Sequence, residues 1–207
     1  MVLKNYYDKF ENQKNSNIIL NFLKKSEAKT VLDICCGAFD ELGTNYDEKG
    51  LIYQPLVAQT LGKNGFEVTG IDFRQNHTQE QIFYKHVTGI DILKGDWPEK
   101  MTTKFDSLIF LRSWDTPEIL FYFQDKFPLL SLNELSIKIA HSLLPDFIKC
   151  LNLGGILITS EIFNFGLCDT NDEARVLKNQ TLNIFETAGF KLLDVVNGLY
   201  FLKLISN

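Results

Sequence analysis

The sequence lacks an apolar run approaching the roughly 20 residues that a membrane-spanning helix needs, so no membrane partner is expected. Its first residues, MVLKNYYDKFENQKN, hold no apolar core behind a positive flank, which excludes reading them as a secretory signal. The four cysteines, Cys35, Cys36, Cys150 and Cys168, contain no CxxC pair. The adjacent two are badly placed for a bridge, and all four are expected as reduced thiols in a cytoplasmic protein. His77, His86 and His141 show no metal-ligand spacing, and they are expected at the surface or partly buried. A net charge of -5 gives no footprint for a phosphate backbone, so no nucleic acid is expected. The GxSxG nucleophile turn, HExxH, the P-loop and the GxGxxG of dinucleotide dehydrogenases are all missing.

What is present is an ordinary globular composition, 45% hydrophobic and 23% charged over 207 residues, enough for one buried domain. Asn15-Ser16-Asn17 ahead of Ile18, Ile19, Leu20, Phe22 and Leu23 predict a helix starting near Ser16. Thr30–Ile34 reads as a buried strand, Pro55 as the first turn of a helix carrying Leu56, Val57 and Leu61, and Phe66–Ile71 as a strand running into Asp72. A helix is expected over Thr78–Lys85 and a short strand near His86–Ile90. Phe105–Leu111 is an apolar strand. Leu132–Leu151 is helical, with Pro145 predicting two helices or a kink. Gly154-Gly155 open the strand Ile156–Ser160, and Asp172–Ala188 is a helix ending at Gly189. Two strands, Phe190–Val196 and Leu199–Ile205, meet at the hairpin signal Asn197-Gly198. Alternation up to a final hairpin predicts an α/β fold: a doubly wound, mostly parallel seven-stranded sheet with a C-terminal antiparallel pair. Neither repeat nor linker breaks the chain, so residues 1–207 are expected to form a single domain, with an N-terminal helical segment at 1–29 and an insertion loop at 40–53.

In such a sheet ligands bind beyond the carboxyl ends of the strands. The first strand runs straight into Cys35-Cys36-Gly37, a turn of small residues that lets backbone amides approach a ligand. The second ends at Asp72, where a carboxylate is placed to accept both ribose hydroxyls of an adenosine. Turn and acid together predict an adenosine site without specifying the cofactor.

VLDICCG resembles the first motif of class I S-adenosylmethionine-dependent methyltransferases, and its Cys-Cys-Gly turn is most like the ubiquinone and menaquinone methyltransferase type. VTGIDF resembles the second motif, TGIDIL or KGDW stands at the third, FDSLIFLRSWD resembles the fourth, LLPDFIKCLNLGGILITSEIF the late helix, glycine turn and fifth strand, and ETAGFKLLDV the closing segment. The motifs keep the family's order from about residue 30 to 205. The resemblance implies a methyltransferase that uses S-adenosylmethionine on a small-molecule acceptor. It implies Asp33 near the amino group of the methionine part, Cys35 and Gly37 against the cofactor, Asp72 on the ribose and Phe73 over the adenine. Asp91 with Ile92 would meet the adenine, with Asp96 as the competing acid, and Leu111 would line the pocket. Arg112, Trp114 and Tyr53 are substrate candidates; the alternatives are packing for Trp114 and a surface pair of Arg112 with Asp115 in place of steering a charged substrate, and Tyr6 and Tyr7 either close over the cofactor or pack on a helix. The Asn-Pro-Pro-Tyr motif of base-modifying methyltransferases does not follow the fourth strand.

Two departures stand out. Cys35 and Phe39 replace the family's first and third glycines. The ribose acid also lies well beyond the roughly 20 residues expected after the turn, the excess being Asp40–Tyr53, read as a cover over the cofactor or as rigid scaffold. No residue announces itself as a general base, and neither His141 nor Asp115 is named catalytic. Two rivals stay open: a protein of this fold that binds S-adenosylmethionine or S-adenosylhomocysteine without methyl transfer, and a nicotinamide-dependent oxidoreductase, against which the turn chemistry argues.

Overall fold

The computed structural model describes residues 9–36, 55–72, 82–111, 117–160 and 171–206. Its strands are β1 (Thr30–Ile34), β2 (Glu67–Asp72), β3 (Lys85–Thr88), β4 (Phe105–Phe110), β5 (Leu151–Ser160), β6 (Phe190–Val196) and β7 (Leu199–Leu204). Its helices are α1 (Lys9–Lys25), α2 (Leu56–Lys63), α3 (Pro117–Lys126), α4 (Leu132–Cys150) and α5 (Asn171–Thr187). The seven strands form one mixed sheet in the order β3-β2-β1-β4-β5-β7-β6. The chain divides into two compact units, residues 1–91 and 92–207.

In the first unit β1, β2 and β3 are parallel, with Asp33 opposite Gly70 and Gly70 opposite His86. β1 and β2 are short β-branched and apolar runs, buried along nearly their whole length, as parallel strands require. α1 starts at Lys9 rather than near Ser16, which corrects the capping expectation. Asn15 and Ser16, 5% and 1% exposed, extend the buried stripe Ile19, Leu20 and Leu23 backward at helical spacing. The predicted helix over Thr78–Lys85 is also corrected where it is described: residues 82–84 are not helical, and Lys85 opens β3.

In the second unit β4 and β5 are parallel, and β7 pairs antiparallel with both β5 and β6. α4 opens with a capping box, Ser131 accepting from the Glu134 amide while the Glu134 carboxylate accepts from the Ser131 amide at 2.8 Å. The expected break at Pro145 is replaced by one helix through Cys150. Pro145 and His141, four residues back, are both exposed, so the lost hydrogen bond falls on the outer face, where water can take the freed carbonyl. α3, absent from the sequence reading, begins on a proline suited to a first helical position and buries Ile119 and Phe123 one turn apart. β5 begins at Leu151, before the glycine pair expected to open it. The β6–β7 hairpin turns at Asn197 and Gly198, with φ of 53° and 74°, the two positive values of a type I′ turn.

Candidate functional site

Asp33 lies next to the end of β1 and Asp72 ends β2, the neighbouring strand. Strand alternation puts Asp33, Gly70, Asp72 and His86 on one face of the sheet, since Asp33, Gly70 and His86 share a rung and Asp72 is two residues beyond Gly70. Asp33 and Asp72 are 5% and 6% exposed. Helix α2 has Pro55 at its N-cap and hence no capping side chain of its own. Asp33 supplies the missing acceptor from β1 by taking the amide of Ala58, a donor of the first helical turn that has no partner within the helix. Burial raises the Asp33 pKa to about 8; the Ala58 amide lowers it, and the Asp72 charge raises it further.

The turn after β1 is conformationally special. Cys35 has φ of 57°, the left-handed region in which a β-carbon is costly. This is the position where the resemblance has a glycine, and the backbone there takes a conformation that favours glycine. The Cys36 amide donates to the Ile71 carbonyl at 3.2 Å, which carries the β1–β2 ladder beyond the last strand residue. The Cys36 thiol then lies over Gly70: a β-carbon at Gly70 would come 2.7 Å from Cys36 Sγ and 2.9 Å from the Tyr84 ring. That close approach explains a glycine in the middle of a buried strand.

Tyr84 and His86 complete a protic group around this glycine. Tyr84 Oη and Cys36 Sγ lie 3.4 and 3.8 Å from the same atom, Nδ1 of His86. Hydroxyl and thiol each carry a proton to give, which suits an imidazole with Nδ1 unprotonated. The rings of Tyr84 and His86 meet edge-on at 5.9 Å. Burial raises the Tyr84 phenol well above its ordinary pKa, and Cys36, Asp33 and Asp72 add to the effect, so the phenol stays neutral. The sequence reading missed Tyr84 because it placed that residue in a helix. The readable signals were the period-two spacing of Tyr84 and His86 and the glycine inside VTGID.

The other predicted site residues divide between the units. The Ile90 amide donates to the Asp72 carbonyl at 3.4 Å, bringing the backbone just before Asp91 to the end of β2, and Asp91 itself is half-buried. In the second unit Ile92 is buried in a short 3-10 helix, Asp96 is spent on an exposed ion pair with Lys100 at 3.4 Å, and Leu111 follows β4 half-buried. Gly37, Phe39, Tyr53, Phe73, Arg112, Trp114, Asp115, Tyr6, Tyr7 and the insertion 40–53 lie outside the described residues, as do Cys168 and His77. Among the described residues Cys35, Cys36 and Cys150 are thiols rather than disulfides, and burial pushes the Cys150 thiol up to about 12. Among the described residues no cluster has the composition of a metal site, and no helix is long and apolar enough to cross a membrane.

Compared by sequence, the chain matches no protein-family model and no curated protein. Solved structures match it by fold. A sugar N-methyltransferase from Streptoalloteichus sp. superposes with a TM-score of 0.55 at 12% identity, over 93% of this chain and 87% of that one. A SAM-bound amino pentose methyltransferase from Micromonospora echinaspora gives 0.54 at 12% identity, over 96% and 98%. The N-methyltransferase NodS from Bradyrhizobium japonicum gives 0.51 at 14% identity, over 97% and 100%. The strand order and the antiparallel β5-β7-β6 edge are those of this fold, the class I methyltransferase fold.

Proposed function

We propose that the chain is a methyltransferase that binds S-adenosylmethionine at the carboxyl ends of β1 and β2 and acts on a small-molecule acceptor. The observation that carries this reading is the pairing of the left-handed turn at Cys35 with the buried Asp72 carboxylate at the ends of adjacent parallel strands. The residues suit the ligand: Asp72 supplies two acceptor oxygens for a vicinal diol, Asp33 a carboxyl for an ammonium group, and the turn exposes backbone where a side chain would obstruct. By resemblance Cys35 and Gly37 border the cofactor, Phe73, Asp91 and Ile92 meet the adenine, Leu111 lines the pocket, and Tyr53, Arg112 and Trp114 face the acceptor. The Cys-Cys-Gly turn keeps the ubiquinone and menaquinone type as its nearest pattern. The two units act as one methyltransferase domain in a cytoplasmic protein.

When bound, the cofactor supplies an electrophilic methyl group on a sulfonium that is already a good leaving group. The chain's own contribution is then to hold, align and keep dry. Asp72 fixes rotation about the ribose, the Cys35 turn fixes the distance from β1, and the buried face around Gly70 excludes water from beneath the site.

The test is thermal unfolding and calorimetry with S-adenosylhomocysteine, with NAD as the discriminating ligand. S-adenosylhomocysteine is expected to stabilise the fold, by about 2.7 kcal/mol at a hundredfold excess over its dissociation constant, and NAD to leave it unchanged. Asp72→Ala is expected to weaken S-adenosylhomocysteine by about 10- to 100-fold in a folded protein, the worth of a charge-assisted hydrogen-bond pair. Unchanged affinity in the variant would place the diol acceptor elsewhere.

A further inference from the structure

Helix α2 is tied to its surroundings at two places. Near its start, the Ala58 amide donates to the Asp33 carboxyl beside the end of β1. Further along, it carries the segment that enters β3. Gln59 Oε1 accepts from the Phe83 amide at 3.0 Å. Gly62 lets the Phe83 carbonyl lie directly on the helix: a β-carbon there would come 1.9 Å from that oxygen, and a backbone oxygen cannot turn aside as a side chain does. Lys63 Nζ stands 5.3 Å from the centre of the Phe83 ring. Phe83 is therefore held by its backbone, and the next residue, Tyr84, reaches the sheet with its place fixed. Tyr84 is buried. Its ring and Cys36 Sγ border one spot, the place a β-carbon of Gly70 would take, and its hydroxyl and that thiol share Nδ1 of His86 at 3.4 and 3.8 Å.

We propose that Tyr84 is a positioning residue for the cofactor: docked on α2 through Phe83, it closes the space in which the Cys36 side chain sits, and so fixes the backbone of the turn that leaves β1. The Cys36 amide donates to the Ile71 carbonyl at 3.2 Å, and its thiol is buried, so both ends of this residue fasten the turn to β2 and β3. Cys35, one residue before, is held at φ of 57°, a backbone costly for any residue with a β-carbon. Such a conformation persists only where its surroundings impose it. On the Cys36 side those surroundings are Gly70, Tyr84 and His86. The inference rests on the cofactor reading above, in which this turn meets the methionine part while Asp72 holds the ribose. A loosened turn then costs the amino-acid end of the ligand and spares the nucleoside.

Calorimetric titration of the whole chain with two ligands tests it: S-adenosylhomocysteine, and 5′-methylthioadenosine, which keeps the nucleoside and lacks the amino-acid group. Tyr84→Leu, measured where the ligand-free variant is folded, should bind S-adenosylhomocysteine about tenfold more weakly, the kind of loss a small misplacement of a binding group produces, and 5′-methylthioadenosine within about twofold of the natural protein. Tyr84→Phe keeps the ring and should restore both affinities to within about twofold. Tyr84→Leu combined with Cys36→Ala should lose no more than the worse of the two single variants, because both act through one turn, whereas independent contributions multiply. Gln59→Ala releases Phe83 from α2 and leaves Tyr84 itself unchanged. It should show the same selectivity at about threefold, and it decides the matter if Tyr84→Leu does not fold. Equal losses for the two ligands, unchanged S-adenosylhomocysteine affinity, or losses that multiply overturn the inference and leave the cofactor reading standing. A natural protein that binds neither ligand removes the reading itself, and the inference with it.

Discussion

The two units put different chemistry under cover. In residues 1–91 the face shared by β1, β2 and β3 carries Asp33, Asp72 and His86, and the place at its centre is a glycine, over which lie a thiol and a phenol ring. In residues 92–207 most of the buried polar side chains are small hydroxyls, and two of them donate to carbonyls: Ser107 to Ile156 at 3.0 Å and Thr159 to Phe110 at 2.7 Å. The buried acid there, Asp146, has Lys149 at 2.9 Å. Aromatic rings fill the remaining volume: Phe147 meets Phe110 at 5.0 Å and Trp97 at 6.2 Å, and Phe185 meets Phe190 at 6.4 Å. A buried hydroxyl that donates to a carbonyl costs little, whereas a buried acid facing another acid is expensive unless something else needs it. In the second unit these groups are paired, although Trp97 Nε1 and Thr181 Oγ1 are buried without a hydrogen-bond partner, while the first unit places two buried acids side by side where we propose a ligand.

That contrast is broken most forcefully at Phe147. Phe147→Ala removes a fully buried ring touching two others and is expected to cost about 3–5 kcal/mol, read from urea unfolding. Its folded fraction should bind S-adenosylhomocysteine within about threefold of the natural protein, the rough spread expected of independent sites. A large loss of affinity instead would mean the units do not divide stability from binding. Gly70→Ala probes the other side. Its methyl group would lie 2.7 Å from Cys36 Sγ, so thiol and phenol must shift, at about 1–3 kcal/mol. Faster labelling of Cys36 by a thiol reagent, together with a lower urea midpoint, would report that displacement; an unmoved midpoint would show the cluster to be loosely packed. The smallest effect is expected at Cys35→Gly. Relief of the left-handed cost, about 1–2 kcal/mol, is offset by the greater freedom glycine has when unfolded, about 0.5–1 kcal/mol. The midpoint should stay level or rise slightly, and a clear fall would mean that the thiol's own packing outweighs its backbone strain.

The fold was legible where the information is local. β1 was read to the residue because a β-branched apolar run ends in a small-residue turn, and the hairpin because Asn-Gly is suited to two positive φ values. What was missed depends on neighbours distant in sequence. Ser16 resembles a helix cap, yet α1 continues through it because packing claims that face. α3 shows no clean stripe, since Phe121, 64% exposed, stands between the buried Ile119 and Phe123. For the candidate site, the places of Asp33, Cys35 and Asp72 beside strand ends could be read from order along the chain, because strand ends are local events. Their company could not: the Ala58 amide, Tyr84 and the His86 contact follow from strand register and from how α2 lies, neither of which a single sequence states.

β7 lies between β5 and β6 in the sheet but follows both in the chain. During synthesis from the N-terminus, β6 therefore emerges before its sheet partner exists, and the β5 edge beyond β4 stays open for the same interval. An open edge presents unpaired amides and carbonyls to any passing strand, and closure must wait for the pairing of Ser160 with Leu199, two residues far apart in sequence. The nascent chain thus has a window of vulnerability set by translation speed between residues 160 and 204, one that closes only when a single short strand slots between two others.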